Sequence, residues 1–271
     1  MISLSEKAAQ NLAIVREKKP LIHNITNSVV TNYTANALLA MGASPIMAYS
    51  RNEVEEMVSL AEALVLNIGT LTEDSLASMI KAGKKASELK TPVILDPVGS
   101  GATTFRTNST RKIIEEIDIS VLRGNPSEIL SLSHNGSKTK GVDSIHSVED
   151  ATQTGKILAK KLRTTFAISG VTDLITDGEQ VIRVSNGHPL MGYVTGTGCT
   201  ATVTIAAFLA VDDDSVSAAA TALAFFGLAG EVAGKRASAP GSFMIEILDA
   251  LYTITPEELK DGCKIQVSGK G

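Results

Sequence analysis

Apolar and polar residues alternate along the chain in short blocks that predict an α/β fold. Several short runs are apolar at nearly every position, as in ALVLNIG at 63–69, and such runs are typical of strands buried on both faces. Segments with helical patterns separate these runs, so we expect βαβ units and a mostly parallel sheet. Strands are predicted at 20–25, 44–50, 63–69, 92–101, 119–125 and 164–170.

The remaining segments predict the connecting helices and one antiparallel hairpin. Helices are expected near the N-terminus, from about Val29 to Met41, from near Asn52 and from Thr72 to about Leu89. Asp177-Gly178 divides 173–184 into two short strands, which is the signal of a type I′ hairpin. After residue 196 the pattern is helical to the end of the chain, and 133–144 is predicted to be the most mobile loop.

Composition narrows the range of partners and compartments. The 271 residues contain neither a low-complexity linker nor an internal repeat, so we expect one domain over 1–271. Aromatic residues make up 4%, Trp is missing and the net charge is −4, which disfavours nucleic-acid binding. The longest apolar stretch has 14 residues, fewer than the roughly 20 that span a bilayer. With two distant cysteines and no disulfide framework, a cytoplasmic protein without a membrane partner is predicted.

The predicted strands end in residues that suit ligand binding. In open α/β sheets, ligands bind outside the carboxyl ends of the strands. The residues near these ends are Asn24 and Asn27, Met47, Asn67 and Gly69, Asp96 and Gly99, Arg123 and Asn125, and Ser169 and Gly170. Their distribution predicts one crevice along this edge of the sheet.

The segment VTGTGCTAT at 194–202 contains one of the two cysteines and a glycine-rich turn. GTGCTA fits the dinucleotide pattern G-x-G-x-x-A, but two helices without a strand follow it, which disfavours that site. A simpler interpretation is a turn before a helix, with Cys199 as a small buried residue. A functional interpretation is that the backbone N–H groups of Gly196, Thr197 and Gly198 bind an anion. Cys199 would then lie in the first helical turn, where its pKa is expected to fall.

Two carboxylates at strand ends are candidates for Mg²⁺ binding. Asp96 lies in LDPVGSG and Glu128 in LRGNPSEI, and Mg²⁺ favours one or two carboxylates together with phosphates and water. Asn125, Pro126 and Glu128 also form a good helix start, so a purely structural role stays open for this segment. Arg123 is placed to pair with a phosphate. The four histidines have no spacing typical of a zinc site.

The segment HNITNSVVTNYTANALLAMGASPIMA at 23–48 is rich in Asn and Thr near a strand end and apolar around Met47. Helix capping and core packing account for such a composition. It also suits a small, mostly apolar ligand that makes a few hydrogen bonds, and we predict that Asn27 and Gly69 contribute to the same substrate site.

Together these motifs resemble the hydroxyethylthiazole kinase family. The resemblance rests on residues 23–50, ALVLNIGTL, PVILDPVGSGATTFR, LRGNPSEI, VTGTGC and PGSF at 240–243, and extends from about Leu21 to Phe243. It implies a ribokinase-like three-layer αβα sandwich with a mostly parallel central sheet. It also implies Mg²⁺-dependent transfer of the γ-phosphoryl group of ATP to the primary hydroxyl of 4-methyl-5-(2-hydroxyethyl)thiazole. Members of this family form homotrimers with the thiazole pocket at a subunit boundary.

The resemblance assigns roles to individual residues. Cys199 stands where most ribokinase-like enzymes have an aspartate base. The anion hole corresponds to Gly196, Thr197 and Gly198, the substrate contacts to Met47 and Gly196, the ATP contacts to Arg123 and Ser169, and the acids near Mg²⁺ to Glu128 and Asp96. The predicted ATP site also includes Asn125.

Three alternatives remain from the sequence. A kinase of the same fold could act on a pyrimidine alcohol. A dehydratase of related fold, acting on hydrated nicotinamide nucleotides, would be expected to carry Asp where Cys199 stands. A non-catalytic sensor of nucleotide or thiazole is disfavoured by the presence of Asp96, Glu128 and Cys199.

Overall fold

The structure is a computed structural model that describes residues 2–133 and 148–268. The loop predicted at 133–144 lies outside the described residues except for Ser133. Strands in the described part are β1 (Leu21–Ile25), β2 (Ser44–Ile46), β3 (Ala63–Asn67), β4 (Val93–Asp96), β5 (Val121–Gly124), β6 (Thr165–Ile168), β7 (Asp173–Thr176), β8 (Val181–Val184) and β9 (Ile265–Ser268).

These strands form one sheet in the order β2-β1-β3-β4-β5-β6-β7-β8-β9. The strands from β2 to β6 pair in parallel, whereas β6 to β9 pair antiparallel. The predicted mostly parallel sheet is therefore confirmed. All parallel strands end at the same edge, where the side chains singled out in the sequence follow them.

The helices are α1 (Leu4–Lys18), α2 (Thr31–Met41), α3 (Val54–Leu60), α4 (Glu73–Leu89), α5 (Thr104–Glu116), α6 (Pro126–Ser131), α7 (Val148–Leu162), α8 (Thr197–Leu209), α9 (Ser215–Arg236), α10 (Pro240–Thr253) and α11 (Pro256–Gly262), with a 3₁₀ helix at Pro189–Tyr193. Two hydrophobic clusters show that these helices cover both faces of the sheet. Ala63 and Val65 of β3 pack in one cluster, whereas Leu64 and Leu66 pack in the other. Because successive strand residues point to opposite faces, this division confirms the three-layer sandwich.

Two helix starts near the sheet edge follow directly from local sequence. Thr72 accepts a hydrogen bond from the backbone N–H of Ser75 at the start of α4. At α6, Asn125 and Glu128 cap each other reciprocally, with Pro126 in the first turn. Such caps satisfy backbone N–H groups that have no partner within the helix. The structural role considered for Asn125 and Glu128 is therefore confirmed.

The structure corrects three local expectations. The chain does not stay helical to its end, because Ile265 and Val267 lie in β9, which pairs with β8. The hairpin is confirmed, but its turn is not type I′: Gly178 has φ 95° while Asp177 does not have positive φ. Instead, Asp177 Oδ1 accepts from two backbone N–H groups of a four-residue loop. The strand predicted at 44–50 ends at Ile46, because the backbone of Ala48 bonds to the His23 ring instead of continuing the ladder.

Candidate active site

The start of α8 presents free backbone N–H groups at the sheet edge. Gly196 precedes the helix with φ 88° and gives no side-chain cap, and an added Cβ there would lie 2.7 Å from Val30 Cγ1. In the described part of the chain, no acceptor is recorded for the N–H groups of Thr197, Gly198 and Cys199. Unpaired amides and the positive end of the helix dipole together favour an anion. The predicted anion hole therefore has the geometry it requires.

Cys199 lies in the first turn of α8, within a network of polar side chains from three strand ends. Asn67 donates through Nδ2 to Asp96 Oδ2 at 2.8 Å and to Cys199 Sγ at 3.2 Å. Asn27 donates to Asn67 Oδ1 at 2.8 Å and approaches Cys199 Sγ at 3.6 Å. Thr202, one turn further along α8, donates to Asp96 Oδ2 at 2.8 Å. The sulfur thus accepts from amides, while its side chain stays only partly buried.

The expected low pKa of Cys199 is wrong. Burial of the thiol, and secondarily the negative charge of Asp96, raise its pKa to about 11. The amides of Asn67 and Asn27 and the charge of Arg123 act in the opposite direction but are outweighed. A helix N-terminus lowers a thiol pKa and burial raises it, and for Cys199 burial has the larger effect. Cys199 is therefore a neutral thiol at physiological pH.

Arg123 connects the anion hole to a cavity on one side of this network. Its Nη2 donates to Ser169 Oγ at 2.6 Å, and a Cβ added to Gly198 would lie 2.6 Å from its Nη1. Arg123, Ser169, Thr197 and Gly198 all line a cavity of about 610 Å³ that extends past the ends of β6, β7 and β8. The predicted ATP residues Arg123 and Ser169 thus lie together beside the predicted anion hole.

A second open cavity of about 740 Å³ lies beyond the ends of β1, β2 and β3. Its lining includes Thr26, Ser28, Tyr49 and Thr70, which are close neighbours in sequence of the predicted substrate residues. Along the sheet, the Cys199 network lies between the two cavities, because β4 separates the two groups of strands. Two separate cavities therefore flank the Cys199 network at this edge of the sheet.

The two predicted metal residues differ in what their oxygens do. Asp96 is fully buried, burial raises its pKa, and its Oδ1 has no hydrogen-bond partner in the described residues. Arg123 Nη1 is 3.9 Å from that oxygen. Glu128 accepts from the backbone N–H of Gly99 and of Asn125, each at 2.8 Å. Burial, with the Asp96 charge second, raises the pKa of Glu128 to about 7.

An Mg²⁺ ion fits this donor set. The described residues contain no group of three or more His, Cys, Asp or Glu side chains that could hold a metal. Magnesium needs no such cage, since one or two carboxylates, water and substrate phosphates suffice. Asp96 Oδ1, which accepts no hydrogen bond in the described residues, matches a cation or its bound water. Glu128, whose oxygens are already bonded, fits only an indirect contact through water.

The remaining predicted site residues are Gly69, Asn125 and Met47. They lie at the same edge of the sheet but make no hydrogen bond to Cys199 among the described residues. Gly69 donates to Asn67 Oδ1 at 3.0 Å, and a Cβ there would lie 2.5 Å from Asn27 Nδ2. Asn125 uses its Oδ1 to cap α6. Met47 directly follows β2 and is half-buried, but it lines neither cavity. The substrate role of Met47 and the ATP role of Asn125 stay predictions.

Two residues of the site received no predicted role from the sequence, although Asn67 was among the strand-end residues of the predicted crevice. Asn67 joins Asp96 to Cys199, and its position at a strand end was the only signal for it. Asp173 lines the cavity beside Arg123 and Ser169; its position at the start of a hairpin strand gave no signal. Both depend on pairings between strands that are distant in sequence.

Comparison with known proteins decides the family. The sequence model of the "hydroxyethylthiazole kinase family" matches residues 12–257. A hydroxyethylthiazole kinase from Desulfotalea psychrophila is 63% identical over 268 residues, covering 99% of this chain and 98% of that protein. The chain belongs to the hydroxyethylthiazole kinase family. It is therefore an enzyme of the phosphotransferase class, and the family predicted from the motifs is confirmed.

Further relatives agree with this family assignment. A hydroxyethylthiazole kinase from Moorella thermoacetica is 51% identical, covering 97% of this chain and 98% of that protein. The solved hydroxyethylthiazole kinase of Pyrococcus horikoshii matches with a TM-score of 0.89 and 41% identity, covering 97% of this chain and all of that chain. A pyridoxal kinase from Staphylococcus aureus, at 14% identity and TM-score 0.59 over 92% of this chain and 98% of that chain, shares the ribokinase-like fold alone.

One helix in the described residues is long and apolar enough to cross a membrane. This helix is α9, and 83% of its most apolar window is buried inside the protein. Its composition is accounted for by its position in the core, where it packs between α8, α10 and α1.

Proposed function

We propose that this enzyme uses ATP and Mg²⁺ to phosphorylate the primary hydroxyl of 4-methyl-5-(2-hydroxyethyl)thiazole in thiamin salvage. Family membership supports the acceptor, and one structural observation supports the chemistry. That observation is the partly buried Cys199 sulfur at the unpaired amides of α8, with one cavity on each side. The acceptor would occupy the cavity near Asn27 and Gly69, and ATP the cavity near Arg123 and Ser169.

In the proposed reaction, the substrate oxygen bonds to the γ-phosphorus as the bond to the β–γ bridging oxygen breaks. ADP departs, and the hydroxyl proton passes to a phosphate oxygen or to water. The N–H groups of Thr197 and Gly198 stabilise the charge on the transferred group, because they are preorganised and have no other acceptor among the described residues. Arg123 lies close enough to Gly198 to pair with the same phosphate oxygens.

The Cys199 thiol is proposed to align the hydroxyl and not to deprotonate it. Asn67 and Asn27 point their N–H groups at Sγ, so the S–H group is free to point toward the open side and donate to the substrate oxygen. Phosphoryl transfer proceeds through a loose transition state in which positioning matters more than a strong base. A neutral thiol therefore suffices where other members of this fold use an aspartate.

Asp96 is the residue proposed to hold Mg²⁺, with Glu128 acting through water. When bound, the ion neutralises charge on the phosphate oxygens. Asn67 and Thr202 hold Asp96 through Oδ2, which leaves Oδ1 without a hydrogen-bond partner in the described residues and 3.9 Å from Arg123 Nη1. Glu128 accepts a hydrogen bond from the backbone N–H of Gly99 and so fixes the turn that follows Asp96.

The family resemblance supports further proposals about assembly and location. Residues 1–271 are proposed to form a single kinase domain that acts in the cytoplasm. We also propose a homotrimer in which Met47 contacts the thiazole at a subunit boundary. Its position at the end of the edge strand β2, outside both cavities of one chain, supports a site completed by a second copy.

A coupled assay of ADP formation tests the proposed function. We expect ADP release with ATP and Mg²⁺ to depend on added hydroxyethylthiazole. The matched control is hydroxymethylpyrimidine, the acceptor of the rival kinase, at equal concentration. Faster turnover of the pyrimidine alcohol, or no turnover of either alcohol, would refute the proposal.

A further inference from the structure

The cavity beside Arg123 is lined by residues of two chemical kinds. Arg123, Thr197 and Gly198 offer positive charge and backbone N–H groups, which suit phosphates. Leu223 and Phe226 from α9, both almost fully buried by the rest of the chain, add apolar surface. A nucleotide bound in this cavity would therefore have its phosphates at the start of α8 and its ribose and base against the rest of the lining.

Asp173 also lines this cavity. It begins β7, which follows β4, β5 and β6 along the sheet, so it is about three strand spacings, or roughly 14 Å, from Asp96. Among the described residues that line the cavity, Asp173 contributes the only carboxylate. A negative charge at this position repels phosphates, and thus disfavours a binding mode that places the triphosphate here.

One oxygen of Asp173 is held by the protein and the other is available. Oδ1 accepts from the backbone N–H of Gly170 at 2.9 Å, which fixes the side chain against its own turn. In the described part of the chain no hydrogen bond is recorded for Oδ2, and this atom is not among the buried unpaired ones. Burial raises the pKa of Asp173 to about 6, with Gly170 and Arg123 opposing it, so the carboxylate is ionised at pH 8.

We propose that Asp173 is a specificity-determining residue that accepts a hydrogen bond from a ribose hydroxyl of the nucleotide donor. A carboxylate accepts hydrogen bonds from hydroxyl groups. An ionised phosphate has no hydrogen to donate and is repelled by the carboxylate. This inference rests on the proposed function, because it requires a nucleoside triphosphate in this cavity. It adds to that function a preference for ribonucleotides over deoxyribonucleotides.

The test compares ATP with 2′-deoxyATP and 3′-deoxyATP as varied donors at saturating hydroxyethylthiazole. For the unaltered enzyme we expect the KM of at least one deoxy donor to exceed that of ATP by about 10-fold, the range for a hydrogen bond to a charged group. In Asp173→Asn the KM for ATP should rise toward that of the same deoxy donor. The KM for the thiazole should not change.

Asp173→Asn suits this test because Asn keeps an oxygen for the Gly170 N–H group while removing the charge. Asp177→Asn is the matched control, since Asp177 also accepts backbone N–H groups but does not line the cavity. Asp173→Ser serves as a second variant if the first is unstable. Equal KM values for ATP and both deoxy donors, or an unchanged ratio in the folded variants, would overturn the inference. If the unaltered enzyme does not use ATP at all, that result would instead refute the proposed function.

Discussion

A neutral Cys199 thiol predicts that the enzyme tolerates replacement of this residue. With a pKa of about 11, on the order of one thiol in a thousand is ionised at pH 8, compared with about one in ten at the ordinary value of 9.0. A positioned general base typically contributes about 10²–10⁴-fold. Since Cys199 is proposed only to align the hydroxyl, Cys199→Ala should retain turnover, with a loss of at most about 100-fold.

Cys199→Asp should also remain active. A carboxylate can accept from the same Asn67 and Asn27 amides that now face the sulfur, and it can act as a base where the thiol does not. The nearby Asp96 charge opposes ionisation of the new carboxylate, so the gain in base strength is partly lost. Absence of all turnover in a folded Cys199→Asp enzyme would contradict this view of the thiol.

Two assays measure this prediction. The first is kcat at saturating substrates for the unaltered enzyme, Cys199→Ala, Cys199→Ser and Cys199→Asp. The second is the rate of alkylation by iodoacetamide against pH in a Cys263→Ala background, where Cys199 is the sole thiol. Near pH 8 the rate should be about a hundredth of that of an unperturbed thiol, because alkylation requires the thiolate. An alkylation profile with a pKa below about 8, or a loss well beyond about 100-fold in Cys199→Ala, would refute the reasoning.

Three further predictions follow from the site. Gly198→Ala would place a Cβ 2.6 Å from Arg123 Nη1. Steady-state kinetics should therefore show kcat/KM for ATP reduced by about 10-fold or more. A change below twofold would argue against an anion hole at the start of α8. Glu128, with its pKa raised to about 7, should contribute stability that is complete below pH 4.5 and declines as pH rises through 7, by up to about 3 kcal/mol. Glu128→Gln should therefore flatten the pH dependence of urea unfolding, and parallel curves would contradict this. Asn67→Leu should lower kcat by about 10-fold or more. It should also slow alkylation of Cys199, because the Asn67 amide opposes the rise in thiol pKa. An unchanged alkylation rate would exclude the hydrogen bond from Asn67 to the Cys199 sulfur.

The elements of the fold that could be predicted from sequence are those fixed by local pattern. The apolar run at 63–69 became β3, buried at every position from Ala63 to Asn67, because a strand covered on both faces leaves no room for polar alternation. The start of α6 was equally readable, since its cap uses residues three apart. β9 was not predicted, because Ile265 and Val267 alternate over only four residues and their pairing partner is about 80 residues away.

The site was predictable in its location but not in its electrostatics. Strand ends identified Asp96 and Arg123 correctly as neighbours of the glycine-rich turn. The pKa of Cys199 was mispredicted because local sequence shows the helix start but not the burial of the thiol or the charge of Asp96. The role of Asn67 has the same explanation, since it depends on two partners 29 and 132 residues away.

Product analysis tests the central claim most directly. The enzyme would be incubated with ATP, Mg²⁺ and hydroxyethylthiazole, and both products would be quantified by mass spectrometry. The structure predicts one phosphorylated thiazole, modified at the hydroxyethyl oxygen, for each ADP formed, with the ratio preserved at lower rate in Cys199→Ala. ADP formation without phosphorylated thiazole, or a phosphoryl group found on Cys199 itself, would contradict direct transfer to an alcohol held at the start of α8.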